Sequence, residues 1–142
     1  MPDLYIDFFE LNIPKPKIQK TNTRNWLSNV VRKENKRIKS VEINYIFCGD
    51  AHLLSLNQKY LNKDTLTDVI TFDYSEKNTL KGDVFISYER VKDNAKKFHQ
   101  KTPDELLRVI VHGLLHLLGY KDKTPAERKV MTQKEDHYLA LF

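Results

Sequence analysis

The residues of this chain best suited to chemistry lie in one short segment near its C-terminal end. His112 and His116 are four positions apart, and Asp122 follows them closely. Histidines at positions i and i+4 of a helix project from the same face, one turn apart. Gly119 stands where a left-handed residue commonly ends a helix, which would fold the chain back and bring Asp122 toward both imidazoles. The spacing therefore predicts one metal ion bound by these three side chains.

Such a site would be catalytic rather than structural, because three protein ligands leave one coordination position open. The alternative is a pair of buried, hydrogen-bonded histidines without any metal. We favour the metal, because burying two imidazoles beside a carboxylate costs free energy unless their polar atoms have partners. One zinc ion, or another divalent transition metal, suits ligands of this type.

The spacing also matches the metzincin peptidase pattern H-E-x-x-H-x-x-G-x-x-H, with two departures. Gly113 occupies the position of the glutamate that activates water in zinc peptidases, and Asp122 occupies that of the third histidine. The missing glutamate disfavours peptide hydrolysis. A carboxylate oxygen binds zinc at nearly the same distance as an imidazole nitrogen, so Asp122 keeps a site of three ligands possible.

The elements that must position these residues can be predicted from the hydrophobic pattern. Strands are predicted at residues 4–9, 41–47, 69–74 and 83–88, and helices at about residues 22–37, 50–61 and 91–98. Two further helices follow, and each is predicted to begin with a capping threonine, Thr102 or Thr124, before a proline and a later glutamate. The pattern predicts an α/β (α+β) fold: a small mixed four-stranded sheet packed with about five helices, and a metal site in the C-terminal helical segment. Residues 1–142 are read as a single domain.

Composition excludes several classes of protein. Cys48 is the only cysteine, so neither an internal disulfide nor a multi-cysteine zinc site is possible. The first residues lack the pattern of a secretory signal, and the apolar stretch at residues 106–118 is too short to span a bilayer. We therefore expect a cytoplasmic protein without a membrane partner. The net charge of +5 favours a polyanionic partner such as nucleic acid.

Four segments resemble the YbeY family of ribosomal RNA maturation endoribonucleases. Residues 112–122 are similar to the family signature H-G-x-L-H-L-x-G-Y-D-H, and residues 67–72 are similar to T-D-V-L-S-F. Residues 82–87 are similar to the strand G-D-I-x-I-S, and Leu56-Asn57 with Tyr60 to L-N-x-x-Y. These motifs occur in the family's order and cover about residues 40–140.

This resemblance implies a metal-dependent endonuclease that cleaves single-stranded RNA during processing of small-subunit ribosomal RNA and ribosome maturation. Its partners would be RNA, ribosomal RNA above all, and the ribosome. Two alternatives stay open: a ribosome-binding or RNA-binding maturation factor whose metal is mainly structural, and a metallopeptidase. The sequence does not predict an oligomeric state.

The departures from the family pattern also bear on function. Asp122 replaces the third histidine, Lys121 replaces the aspartate before it, and Leu61 stands where the family tends to have arginine. Lys63 and Lys121 are therefore the candidate catalytic residues, because either could supply positive charge to a phosphate. Asp68 either supports the site or caps local backbone. No residue is identified as a general base.

Overall fold

A mixed four-stranded sheet and five helices make up residues 3–142, the part of the chain that the computed structural model describes. In chain order the elements are β1 (Asp3–Glu10), α1 (Lys20–Glu34), β2 (Ser40–Cys48), α2 (Asp50–Leu61), β3 (Val69–Asp73), β4 (Thr79–Ser87), α3 (Tyr88–Lys97), α4 (Thr102–Leu117) and α5 (Pro125–Leu139). The strand order is β1-β2-β4-β3, in which β3 alone is antiparallel to its neighbour. The predicted fold class is confirmed.

One face of the sheet carries the main core and determines where α4 lies. Along β2, alternate residues are buried because successive side chains of a strand point to opposite faces: Val41, Ile43, Tyr45 and Phe47. The hydroxyl of Tyr45 donates a hydrogen bond of 2.9 Å to the carbonyl of Ile110 in α4. Because Tyr45 points to the core face of β2, this hydrogen bond connects α4, the helix that carries both histidines, to the centre of the sheet.

Gly113 is the point of close contact between α4 and the sheet. A Cβ atom at this position would lie 2.7 Å from Cγ1 of Val84 in β4, closer than real Cβ contacts allow. A similar approach occurs at Gly82, where a Cβ atom would lie 2.6 Å from Cδ2 of Leu117. These two glycines let α4 pack directly on β4 because neither has a side chain.

The two predicted threonine caps differ. Thr124 accepts a hydrogen bond from the amide of Glu127, and the Glu127 carboxylate accepts one from the amide of Thr124, so α5 begins with the predicted capping box. The prediction for Thr102 was wrong, because this residue is already the first residue of α4. The glutamate that would complete the motif, Glu105, is buried instead of reaching back to the start of the helix.

Two further observations concern the single cysteine and the possibility of a membrane span. Cys48 is fully buried, and burial together with the charge of Asp50 raises its thiol pKa to about 12, as expected of a small core residue. Among the helices of residues 3–142, none combines the length and apolar character needed to cross a membrane.

Candidate metal centre

The end of α4 turns the chain back toward its own histidines. The amide of Gly119 donates to the carbonyl of His116, and the amide of Tyr120 donates to that of Leu115, both at 3.0 Å. This pair of bonds is the Schellman arrangement, which requires a left-handed residue after the helix. Gly119 has φ +105°, so the prediction made from its position is confirmed. The turn returns Asp122 to the face of the helix that carries the histidines.

Three potential ligand atoms converge at this turn. Oδ2 of Asp122 lies 3.2 Å from Nε2 of His112 and 3.3 Å from Nε2 of His116. The two Nε2 atoms are 2.9 Å apart. A tetrahedral zinc ion with bonds of about 2.0 Å separates its ligand atoms by about 3.3 Å. Within the described residues this is the one group of three such side chains arranged closely enough to hold a metal ion.

The hydrogen bonds behind the imidazoles decide which nitrogen faces the centre. Nδ1 of His112 lies 2.6 Å from Oε2 of Glu135, and Nδ1 of His116 lies 3.0 Å from the carbonyl of Tyr120. Both partners are acceptors, so each Nδ1 carries the proton and donates it. With the proton on Nδ1, each neutral imidazole keeps a lone pair on Nε2 that is available to a metal ion. A set of three electron-pair donors at these distances fits a transition metal ion.

Glu135 holds His112 in place, and the sequence analysis missed it. Its side chain is 8% exposed, and its other oxygen accepts a 2.8 Å hydrogen bond from Nη1 of Arg108. Nη2 of Arg108 also bonds to Asp136, which fixes the guanidinium in a forked geometry. A sequence signal was present: Glu135 lies between Met131 and Tyr138 on the buried face of α5, where an unpaired carboxylate would be costly.

Burial and nearby charges shift the pKa values of His112 and His116 in opposite directions. Burial lowers the pKa of His112, but its hydrogen bond to Glu135 and the surrounding carboxylates outweigh burial and raise that pKa. Burial and the charge of His112 lower the pKa of His116. Burial also raises the pKa of Asp68, and the charges of Glu135 and Asp122 raise it further, although His112 opposes them. Asp68 therefore lies within electrostatic range of the ligand group.

The two candidate catalytic lysines are less closely tied to the centre. Both side chains are exposed, and among residues 3–142 neither Lys63 nor Lys121 contacts any of the three potential ligands. The hydrogen bond from the backbone of Thr124 lowers the pKa of Glu127 in the first turn of α5, and the charge of Lys121 adds to this effect. Leu61, at the end of α2, is 45% exposed, so its side chain does not replace an arginine by packing into the core. The catalytic role of Lys63 and Lys121 stays a prediction.

The Asn57 side chain explains part of the L-N-x-x-Y motif. It is 3% exposed, and its Nδ2 donates a 2.8 Å hydrogen bond to the carbonyl of Thr65. This bond ties α2 to the loop that leads to Asp68, so Asn57 supports the border of the site rather than the reacting centre. The ring of Tyr60 packs edge-on against Phe72, with centroids 5.7 Å apart.

Comparison with known proteins identifies the family. The family model described as Endoribonuclease YbeY matches residues 9–142. Proteins named Endoribonuclease YbeY are 52% identical in Flavobacterium psychrophilum, over 87% of both chains, and 48% identical in Cytophaga hutchinsonii, over 99% of this chain and 98% of the relative. The solution structure of TM1509 from Thermotoga maritima superposes with a TM-score of 0.59 at 27% identity, covering 94% of this chain and 86% of that one. This chain belongs to the YbeY endoribonuclease family.

Proposed function

We propose that this protein is a zinc-dependent endoribonuclease that cleaves single-stranded RNA during processing of small-subunit ribosomal RNA. The observation that carries the proposal is the convergence of His112, His116 and Asp122 at distances suited to one ion, in a chain whose relatives are named endoribonucleases. The partners would be ribosomal RNA and the ribosome. Action on the ribosome would place the protein in the cytoplasm.

Accessibility supports a catalytic rather than a structural metal. The side chains of His116 and Asp122 are 26% and 39% exposed, so the centre can be approached from solvent. When bound, a zinc ion would polarise a phosphoryl oxygen and lower the pKa of water at the open position. A closed structural site would instead have four protein ligands.

The protein's own residues prepare the site before any substrate arrives. Glu135 keeps the His112 proton on Nδ1, and the Tyr120 carbonyl does the same for His116, so both Nε2 atoms are available as ligands. Arg108 neutralises Glu135 and holds its orientation through the 2.8 Å hydrogen bond. The arrangement therefore requires little movement of side chains when an ion binds.

Peptide hydrolysis is disfavoured by the packing of α4. The metzincin glutamate would fall at Gly113, whose missing side chain would point against Val84 in the sheet and not into solvent. A glutamate there could not reach a substrate without displacing β4. The metallopeptidase alternative thus lacks both the base and the space for it.

The maturation-factor alternative is favoured by one observation, the exposed Leu61 in place of the family's arginine. The two functions can be separated by measuring the metal content of purified protein and then cleavage of a labelled single-stranded RNA, with and without chelator. Chelator-sensitive cleavage that returns when zinc is added supports the endoribonuclease. Stoichiometric metal and RNA binding without cleavage would indicate the maturation factor.

Lys63 and Lys121 would contribute positive charge to the bound phosphate. We expect Lys63→Gln or Lys121→Gln to lower the cleavage rate without changing metal content. Lys129→Gln removes the same charge from an exposed position on α5 and is the matched control. If the cleavage rate of all three variants equals that of the parent, both lysines belong to the solvated surface and have no catalytic role.

A further inference from the structure

One largely buried carboxylate lies behind the turn that carries the potential metal ligands. Glu34 is the last residue of α1, and its side chain is 8% exposed. The hydroxyl of Tyr120 lies 2.5 Å from its Oε1 atom, Nζ of Lys134 lies 3.1 Å from its Oε2 atom, and the hydroxyl of Tyr138 also donates to Oε2. Glu34 therefore joins α1 both to α5 and to the turn that follows α4.

Tyr120 connects this carboxylate to one of the potential ligands. Its carbonyl accepts the 3.0 Å hydrogen bond from Nδ1 of His116, and its amide donates a 3.0 Å hydrogen bond to the carbonyl of Leu115. Both of these bonds lie within α4 and its terminal turn. The hydroxyl, in contrast, bonds to α1, and Nζ of Lys134 in α5 lies 5.6 Å from the centre of the ring. The side chain of Tyr120 therefore anchors the turn to helices other than α4.

The carbonyl of Tyr120 decides which nitrogen of His116 faces the other two potential ligands. A neutral imidazole that donates from Nδ1 keeps its lone pair on Nε2. This Nε2 atom lies 2.9 Å from Nε2 of His112 and 3.3 Å from Oδ2 of Asp122. If the turn moved away, His116 could carry its proton on Nε2 and donate it to the Asp122 carboxylate. That tautomer has no lone pair on Nε2 for an ion.

We propose that Glu34 is a positioning residue for the metal centre, which it supports through Tyr120 and His116. The inference rests on the proposed zinc-dependent function. The Glu34 carboxylate holds the hydroxyl of Tyr120, so that the carbonyl of the same residue stays within reach of Nδ1 of His116. His112 has direct support of the same kind from Glu135 in α5. Each imidazole is thus oriented by a carboxylate from a different helix.

Two tyrosines that bond to the same carboxylate separate this role from a purely structural one. Tyr120→Phe and Tyr138→Phe each remove one hydroxyl from Glu34, but only Tyr120 is bonded to His116. In zinc titration against a competing chelator, we expect Tyr120→Phe to lower the affinity about fivefold to tenfold, the lower end of the effect of outer partners of a ligand, because the carbonyl itself is kept. Tyr138→Phe should change the affinity by less than about twofold.

A double-variant cycle determines whether Glu34 acts through Tyr120. Glu34→Ala should lower zinc affinity about as much as Tyr120→Phe. The double variant Glu34→Ala/Tyr120→Phe should lose little more than either single variant, because both interrupt the same connection. Losses that multiply in the double variant would contradict a shared connection. Circular dichroism checks that each variant is folded, and if Glu34→Ala is not, the two tyrosine variants decide the proposal by themselves.

The tautomer of His116 provides a measurement that needs no metal. Long-range proton–nitrogen NMR spectra of the metal-free protein at about pH 8, where an imidazole is neutral, distinguish a proton on Nδ1 from one on Nε2. We expect the Nδ1–H form in the parent and in Tyr138→Phe, and a mixture of both forms in Tyr120→Phe. A parent that binds no zinc would remove the proposed function but leave this comparison intact. The proposal is overturned if both tyrosine variants lose zinc affinity equally, or if His116 keeps the Nδ1–H form in Tyr120→Phe.

Discussion

Glu135 of α5 and His112 of α4 are joined by a 2.6 Å contact between Oε2 and Nδ1. The carboxylate is almost fully buried and is held on its other side by Arg108. An imidazole oriented in this way presents Nε2 to the ligand group and is a stronger electron donor than one bonded to water. We therefore expect the metal affinity of the site to depend on a residue that would not touch the ion.

Glu135→Gln is expected to lower zinc affinity by about 10-fold to 100-fold, because the amide keeps the shape but loses the charge that holds the His112 proton. Zinc titration against a competing chelator measures the effect. Asp136→Asn is the matched control, since Asp136 also bonds to Arg108 but does not contact the histidine. Equal affinities of the two variants would show that Glu135 does not support the ligand.

Asp122→Ala should weaken zinc binding strongly, whereas Asp122→His, which restores the residue type of the family signature, should largely preserve it. A role as the cap of α5 is excluded, since Thr124 performs it. The same titration is used, with Lys123→Ala as control for an exposed neighbour in the turn. Parent-like affinity in Asp122→Ala would remove this residue from the ligand set.

Gly113→Ala should lower the free energy of unfolding by about 1–3 kcal/mol, despite the better helix propensity of alanine, because its Cβ would overlap Val84. Urea denaturation provides the measurement. In the double variant Gly113→Ala/Val84→Ala the two losses should be less than additive, because the smaller residue makes room. Strict additivity would mean that the two positions do not interact.

The carboxylate of Glu34 should make the free energy of unfolding depend on pH under acidic conditions. Burial raises its pKa, but hydrogen bonds from Tyr120, Tyr138 and Lys134 outweigh this effect and lower it. Such a carboxylate has a lower pKa in the folded state than in the unfolded state, so it stabilises the folded protein at any pH above the unfolded pKa. This contribution is lost as the pH falls through the folded pKa.

Glu34→Gln is therefore expected to cost about 1–3 kcal/mol at pH 7 and progressively less below about pH 4.5. Urea denaturation across this pH range measures the difference from the parent. Tyr120→Phe removes one donor to the carboxylate and should move the acid limb of the parent to higher pH. A cost for Glu34→Gln that does not change with pH would show that the charge of Glu34 is unimportant.

Local sequence was sufficient for most of the secondary structure and for predicting that His112, His116 and Asp122 lie close together. The spacing of His112 and His116 places both imidazoles on one helix face, and Gly119 reverses the chain within one turn, so the position of Asp122 follows from short-range geometry. All four strands were predicted from their apolar and β-branched residues, and β2 also from its alternation with period two, although β4 begins at Thr79, earlier than predicted. The failed cap at Thr102 shows the limit of such patterns, because Glu105 is drawn into the protein interior by packing.

Only the tertiary structure determined which residues support the potential metal ligands. Glu135 and Arg108 meet because α5 packs against α4, and nothing in the local pattern of either helix specifies that contact. In the same way, the reason for glycine at position 113 is Val84, which lies on a strand distant in sequence. Helix and strand periodicity depend on neighbouring residues, whereas buried charge pairs and close approaches depend on which elements pack together.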